Sequence, residues 1–260
     1  MMQVRSVAAA RGWRWIAEGF ALFQKSPLMW VLITLGLFIA FNLILLIPYI
    51  GIVAVLLMPI ILVGLMEGCR ALDLQQELKP AYLLSGFTRN TMVLATLGAI
   101  YLAGNLLVIL VIVLLGGDSL MQVLKFTAEQ KPTPENVLAM REAMTTATVA
   151  VLVGWLLSLP LIMAFWFSPL LVYLHDMKIS QAMRVSLKAC LQNMLPFLVY
   201  GAIFLAALML VTPVSLATRI LDLGMWLLAP VAIPSIYASY KDIFPAADTT
   251  SAVPLLRDQI

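Results

Sequence analysis

The few side chains that could perform acid–base or metal chemistry stand at the ends of apolar segments. His175 is the chain's one histidine, Asp176 directly follows it, and Glu67 and Arg70 end an earlier apolar run. Catalysis needs several such groups converging on one point, whereas adjacent residues of a helix point in different directions. We therefore predict that these four residues form a polar cluster at span ends, solvated by water or headgroups, and hold no metal ion.

Sequence patterns of known catalytic sites are missing from the chain. It contains no G-x-S-x-G nucleophile elbow, no H-E-x-x-H zinc motif and no phosphate-binding loop around Gly116 and Gly117. Cys69 and Cys190 stand far apart without C-x-x-C spacing, which indicates two reduced thiols rather than a disulfide or a zinc site. We therefore predict no catalytic residue, no metal, no cofactor and no enzymatic activity.

The composition indicates a protein whose solvent is largely lipid. Hydrophobic residues make up 63% of the 260 residues and charged residues 11%, and the mean hydropathy is +1.02. Soluble proteins have about a quarter of their residues charged. The net charge of +3 is too modest to suggest a nucleic-acid partner. The sequence therefore predicts an all-α membrane protein that binds no nucleic acid.

Six apolar segments are long enough to cross the hydrocarbon core, which is about 30 Å thick and needs about 20 helical residues. The predicted spans are about 28–47, 49–66, 92–115, 147–174, 195–216 and 223–240. They make up a membrane domain over residues 28–240. An N-terminal helical segment, 1–27, precedes this domain, and a polar tail, 241–260, predicted to be disordered, follows it.

Lysine and arginine are distributed unequally between the two sides of this predicted membrane domain. Four of the sixteen basic residues fall on one side, namely Lys125, Lys131, Arg141 and Arg219. Cytoplasmic loops carry the excess of basic residues in membrane proteins. We therefore predict that both termini, the segments 70–91 and 178–194 and the polar cluster are cytoplasmic, and that the loop 116–146 is periplasmic.

Residues 6–25 have the pattern of an amphipathic helix, with apolar side chains at three- and four-residue spacing. Its apolar side contains Trp13, Ile16, Phe20 and Phe23, and its polar side contains Arg11, Arg14, Glu18 and Lys25. This pattern is typical of a helix in a membrane interface. Packing on the protein's own spans is an alternative that stays open.

Two further amphipathic stretches, 81–90 and 178–194, also carry basic residues, so six cations are candidates for contact with lipid headgroups. These are Arg11, Arg14, Lys25, Arg89, Arg184 and Lys188. Each basic residue near an anionic membrane surface contributes about 1 kcal/mol of attraction. The predicted partners are therefore lipids of the anionic inner leaflet, with a role limited to setting topology as the open alternative.

The order of amphipathic helix, span and span occurs three times, which suggests an internal repeat. The letters GAIYLA at 98–103 match GAIFLA at 201–206, and Asn90 matches Asn193 at the same offset. We predict six transmembrane helices arranged as three hairpins, each preceded by a cytoplasmic interfacial amphipathic helix. Chance matching within apolar sequence stays open.

Four polar side chains within or next to the spans are candidates for packing or for contact with a solute. Asn42 and Asn105 lie deepest, and Ser186 and Asn193 fall toward the apolar side of their segment. We expect Asn42 and Asn105 to form hydrogen bonds between helices. We expect Ser186 and Asn193 to bond to a neighbouring span or to its unpaired backbone ends.

Several stretches carry a resemblance to known proteins. They read PLLVYLHD at 169–176, AMRVS at 182–186, LQN at 191–193, GWRWIAEGF at 12–20 and GLMEGCRAL at 64–72. The chain resembles, over residues 10–242, six-span proteobacterial inner-membrane families whose function is uncharacterised. The resemblance implies this topology and an inner-membrane location, and it brings no catalytic residues.

Two functions remain open on these grounds. The first is an inner-membrane protein without a catalytic site that organises the membrane, assists assembly or maintains the envelope by contacting lipid, partner proteins or further copies of itself. The alternative is a transporter or channel for an apolar or lipid-like solute, suggested by proline-interrupted spans and by Asn42 and Asn105.

Overall fold

The computed structural model describes residues 3–47, 51–129, 134–218 and 223–245, and this part of the chain is helical, without strands. The helices are α1 (Arg11–Lys25), α2 (Pro27–Leu45), α3 (Gly51–Asp73), α4 (Ser85–Thr88), α5 (Thr91–Glu129), α6 (Pro134–Trp166), α7 (Ser168–His175), α8 (Ile179–Gln192), α9 (Met194–Thr218) and α10 (Leu223–Ile243). A 3-10 turn, Pro80–Leu84, precedes α4. The all-α prediction is confirmed.

Six of these helical stretches are long and apolar enough to cross a membrane. They are Pro27–Ile44, Gly51–Asp73, Thr91–Phe126, Val137–His175, Met194–Thr218 and Leu223–Ile243, with mean hydropathies from 1.3 to 2.6. Six spans were predicted, and six are found in the described residues. The junction between the first two predicted spans, at 48–50, and most of the predicted disordered tail lie outside those residues, whereas residues 241–243 belong to α10.

The end of the second span and the segment after it differ from the prediction. α3 continues seven residues past the predicted end at 66, to Asp73, because Glu67 and Arg70 pair with each other across one helical turn at 3.3 Å. The predicted amphipathic segment 70–91 is therefore not one helix. After α3 it contains the 3-10 turn and the four-residue α4.

The predicted fourth span is interrupted between α6 and α7. Phe167, the residue between them, has φ −106° and ψ −8°. Pro169 lies in the first turn of α7, where its missing N–H is tolerated, but a proline within a continuing helix would break the backbone ladder. The backbone N–H of Phe167 donates instead to the Ser186 hydroxyl at 3.0 Å. This break directs α7 toward α3 and α8, which it contacts.

The predicted periplasmic loop 116–146 is mostly helical in the described residues. α5 continues to Glu129 and α6 begins at Pro134. Gly116, with φ −155° and ψ 20°, is the one non-helical residue within α5. Both helices extend past their apolar runs because hydropathy marks where apolar sequence stops, not where a helix stops, and this region is rich in good helix formers such as Ala, Met, Leu and Glu. The periplasmic placement of the segment stays a prediction.

The chain divides into two compact units, and the smaller one, Ala99–Met163, is a pair of helical stretches from α5 and α6. Within it Gly104 lies against Leu161, Gly154 against Ile112, and Gly116 against Ala150. Rising numbers on one helix meet falling numbers on the other, so the two stretches run antiparallel. Small residues allow such close helix approach in membranes.

The larger unit contains residues 3–98 and 164–245, and its core forms where α1 packs against α9 and α10. Trp15 is fully buried there beside Phe197 and Tyr200. A Cβ added at Gly12 would lie 2.2 Å from the carbonyl oxygen of Pro196, and one at Gly19 would lie 2.6 Å from the Ser235 nitrogen. Glycine at these two positions is therefore what lets α1 approach the two spans.

Candidate functional site at the helix ends

Three aspartates lie at or near the ends of α3, α7 and α10, and each pairs with a cation distant in sequence. Asp73 pairs with Lys241, Asp176 with Arg89, and Asp242 with Arg11. We call these three pairs, together with the polar side chains that bond to them, the helix-end network. The network joins α1 to the end of α10, Arg89 to the end of α7, and the end of α3 to that of α10.

Asp242 is the point where α1 attaches to α10. Its Oδ2 accepts hydrogen bonds from Arg11 Nε at 2.5 Å and from Trp15 Nε1 at 2.8 Å. Arg11 also pairs with Glu18 at 3.0 Å. Burial alone would lower the pKa of Arg11, but the hydrogen bond to Asp242 and the charges of Glu18 and Asp242 outweigh it, so that pKa is raised. Arg11 is therefore a permanently charged anchor within the protein.

Glu67 is buried rather than solvated, which corrects the expectation for it. It is 4% exposed, and its partner Arg70 is partly covered. Leu170, Tyr173 and other residues of α3, α7 and α10 line the small cleft around this pair. The expectation failed because it took α3 to end at Glu67, whereas the extended α3 brings this carboxylate under α7.

His175 and Asp176 have partners that differ from those of Glu67 and Arg70. His175 Nε2 and the hydroxyl of Tyr240 are 2.9 Å apart. Asp176, in the left-handed region with φ 48°, pairs with Arg89 and accepts from Asn90 Nδ2 at 2.9 Å. The predicted cluster of four therefore belongs to two sets of contacts, one inside the helix packing and one at the exposed surface.

The six predicted headgroup cations fall into two groups. Four are engaged by the protein: Arg11 with Asp242, Lys25 with the Leu72 carbonyl at 2.9 Å, Arg89 with Asp176, and Arg184 with the Ser180 carbonyl at 3.0 Å. Arg14 and Lys188 are exposed, and neither has a hydrogen bond or ion pair within the described part of the chain. The side chains of these two are therefore the ones among the six that no other group of the described chain engages.

Asn42 and Asn105 bond within their own helices, which corrects the expected bonds between helices. Asn42 Nδ2 donates to the Phe38 carbonyl at 2.9 Å, and Asn105 Nδ2 to the Tyr101 carbonyl at 2.8 Å. Thr34, Thr96, Ser158 and Thr212 bond four residues back in the same way. A carbonyl four residues back is within reach of a short polar side chain whatever lies beside the helix.

Ser186 and Asn193 both meet backbone groups. Ser186 takes the Phe167 N–H described above. Asn193 is fully buried, and its Oδ1 accepts from the Val7 N–H at 2.9 Å while its Nδ2 donates to the Arg5 carbonyl at 3.0 Å. The sequence offered no signal for this contact because the two partners are separated by 186 residues or more.

The two thiols are not placed for chemistry. Cys69 and Cys190 are buried and form no disulfide, and burial raises the pKa of the Cys190 thiol to about 12. Within the described ranges, no group of three or more His, Cys, Asp or Glu side chains is placed to hold a metal ion. Asp73, Asp242 and Tyr240 were not predicted as site residues, although an aspartate at or near the end of each of three helical stretches was a signal in the sequence.

Six apolar spans and a network of charged pairs at helix ends define a multi-pass integral membrane protein. The chain is 29% identical to a probable inner membrane protein of Burkholderia thailandensis, over 94% of each chain. This likeness confirms the resemblance to bacterial membrane proteins of that kind. No family model matches the chain, and no solved structure matches it.

Proposed function

We propose that this chain is a bacterial inner-membrane protein that organises the membrane or assists assembly of the envelope by contacting anionic lipid and partner proteins. The distribution of basic residues supports an orientation with both termini in the cytoplasm. The relative's name, probable inner membrane protein, supports the location. In this proposal the helix-end network lies on the cytoplasmic side and does not act as a catalytic site.

The observation that carries the proposal is the outer side of α1. The helix is held by its inner side, where Gly12, Trp15 and Gly19 are buried, whereas Trp13 is 56% and Phe20 46% exposed. Exposed aromatic rings beside the free cation Arg14 are typical of a helix in the headgroup region. α1 is therefore both part of the protein's core and a surface for lipid.

The proposal is tested with the two available cations. The double variant Arg14→Gln, Lys188→Gln should lose about 1 kcal/mol of attraction per charge, about fivefold each in affinity for anionic lipid. The measurement is anionic lipid retained by the purified full chain, by native mass spectrometry, with Lys125→Gln as a matched control on the side proposed to be periplasmic. Unchanged lipid retention in the double variant would refute the proposal.

A second candidate is a transporter or channel for an apolar or lipid-like solute. It is favoured by Pro230 and Pro234, both buried within α10, since such prolines free backbone carbonyls that can line a path. It is weakened by Asn42 and Asn105, whose amides bond to their own helices. Transbilayer movement of a fluorescent phospholipid in proteoliposomes tests it, and a rate equal to that of protein-free vesicles would exclude that solute.

A further inference from the structure

A charged cleft of about 310 Å³ lies between α1, α3 and α10. Its charged lining consists of Glu18, Lys25, Asp73 and Lys241. Leu22 and Tyr237, together with two alanines, form its apolar lining. Two cations and two anions thus face one small space at the ends of two spans.

The charged groups retain hydrogen-bonding capacity that the protein does not use. Each lysine ammonium has three donors, and Lys25 uses one on the Leu72 carbonyl, while Lys241 pairs with Asp73. Glu18 pairs through Oε1 and Asp73 through Oδ2. Among the described residues their second carboxylate oxygens have no partner. The cleft can therefore offer donors to an anion and acceptors to a cation at the same time.

The position of the cleft favours a lipid as its ligand. α3 and α10 are apolar along most of their length, and the cleft opens at the end of both. α1 forms another of its sides and exposes Trp13 and Phe20 nearby in sequence. Charge at the boundary between apolar spans and an aromatic interfacial helix is where a phospholipid places its headgroup.

We propose, resting on the membrane function proposed above, that this cleft binds the headgroup of a zwitterionic phospholipid with a primary ammonium group. Lys25 and Lys241 contact the phosphate, and Glu18 and Asp73 accept hydrogen bonds from the ammonium. Leu22 and Tyr237 contact the apolar part that follows the phosphate. The acids distinguish this lipid from an anionic one, since an anionic headgroup without an amine would leave them facing a like charge.

The chemistry sets an order of preference among three headgroups. Phosphoethanolamine has N–H donors for both carboxylates, phosphocholine has the same charges but no N–H, and phosphoglycerol has no cation. Hydrogen bonds to charged groups are stronger than those between neutral groups, and a tenfold change in affinity corresponds to about 1.4 kcal/mol. We therefore expect phosphatidylethanolamine to be retained about tenfold better than the other two.

The test is competitive lipid binding to the purified full chain in nanodiscs of equal surface charge, read by native mass spectrometry. The double variant Asp73→Asn, Lys241→Gln, whose side chains can still bond to each other, and the single variant Glu18→Gln should each abolish the preference. Lys125→Gln, which lies outside the cleft and is not one of the proposed lipid-contacting cations, should keep the preference. A thermal unfolding curve checks that each variant is folded.

Three results would overturn the proposal. They are equal retention of the three lipids by the natural chain, an unchanged preference in the cleft variants, and binding of soluble glycerophosphoethanolamine as tight as that of the lipid, which would assign the cleft to a soluble ligand. Failure here is separate from failure of the proposed function, because the Arg14 and Lys188 variants report attraction to anionic lipid whereas this comparison is made at constant charge.

Discussion

At the scale of single residues, the Asn193 side chain bonds to the backbone of Arg5 and Val7 in the way that the backbone of a neighbouring β-strand would. Its amide pairs with the N–H of Val7 and the carbonyl of Arg5, and the N–H of Arg5 donates to the Ile243 carbonyl at 2.9 Å. The segment before α1 is therefore bonded to the start of α9 and to the end of α10. One buried side chain and one backbone carbonyl keep these residues in place.

Replacing Asn193 with leucine should destabilise the protein and release its N-terminal segment. The change leaves two backbone groups without partners, and each unsatisfied buried group costs about 1–3 kcal/mol. Thermal unfolding in detergent and limited proteolysis near Arg5 measure the two effects. Asn105→Leu is the matched control, because it removes a bond within one helix, and an equal loss of stability in both variants would contradict this role of Asn193.

Cys190 should resist alkylation in the folded protein across the usual pH range. Burial raises the pKa of its thiol to about 12, and the reactive thiolate is therefore scarce below pH 10. The same shift makes stability depend on pH. Below the unfolded thiol pKa of about 8.5 the thiol is protonated in both states and costs the folded state nothing. As the pH rises from there toward 12, the unfolded state loses its proton first, so the free energy of unfolding falls. Iodoacetamide labelling at pH 7–9, followed by mass spectrometry, checks this. Rapid labelling without denaturant would show an accessible thiol.

At the scale of elements, α1 depends on close backbone approach as much as on its ion pairs. Gly19 meets the backbone of Ser235, so that a larger residue must push α1 away from α10. Such a movement would also separate Trp15 and Arg11 from Asp242. The backbone packing at Gly19 and the bonds to Asp242 are therefore coupled, and we expect a change that disrupts one of them to disrupt the other.

Gly19→Val should detach α1 while leaving the six spans inserted. We expect faster tryptic cleavage at Arg14 and Lys25 and a loss of about 1–3 kcal/mol, as for other overpacked sites. Gly36→Ala in α2 is the control, since a Cβ there meets nothing within 4 Å. Cleavage kinetics identical to those of the natural chain would contradict the prediction, because they would show that Gly19→Val does not expose α1 to trypsin.

Element types could be predicted from the sequence, and the ends of several elements could not. A run of about 20 apolar residues is sufficient evidence for a span, which is why all six were found. α3 extends beyond its apolar run because a polar residue that finds a partner one turn away, as Glu67 does in Arg70, does not stop a helix. α5 and α6 extend because the sequence beside their apolar runs is rich in good helix formers. Hydropathy has no information about that partner.

The candidate site was less predictable than the fold. Residue type indicated that Glu67, Arg70, His175 and Asp176 stand at span ends. The partners of His175 and Asp176, however, are Tyr240 and Arg89, which lie far along the chain. The six basic residues looked equivalent in the sequence. The structure divides them into two groups. How many donors a cation can offer to lipid depends on how many hydrogen bonds from it a carbonyl or carboxylate of the same protein already accepts.

At the scale of the whole molecule, the lengths of α5 and α6 bear on topology. With 39 and 33 residues they would be about 58 Å and 50 Å long as straight helices, well beyond the hydrocarbon thickness of about 30 Å. In the orientation proposed above, residues 117–129 of α5 and 134–145 of α6 are helical extensions in the periplasm. The basic residues at their ends are among the few on that side.

Cysteine labelling tests this orientation. Ser119→Cys should react with a membrane-impermeant maleimide in intact spheroplasts, whereas Gln24→Cys, in α1, should react after lysis alone. The buried Cys69 and Cys190 serve as the unlabelled background in both variants. The reverse pattern, with Gln24→Cys labelled first, would place the termini in the periplasm.

The packing of α1 also bears on the order in which the protein is built. α1 leaves the ribosome before α9 and α10, yet these two spans form the surface that receives it. Asn193 and Asp242, which bond to the N-terminal segment and to α1, are likewise translated late. α1 must therefore wait beside the membrane until α9 and α10 have been made, and it can dock only after both are in place.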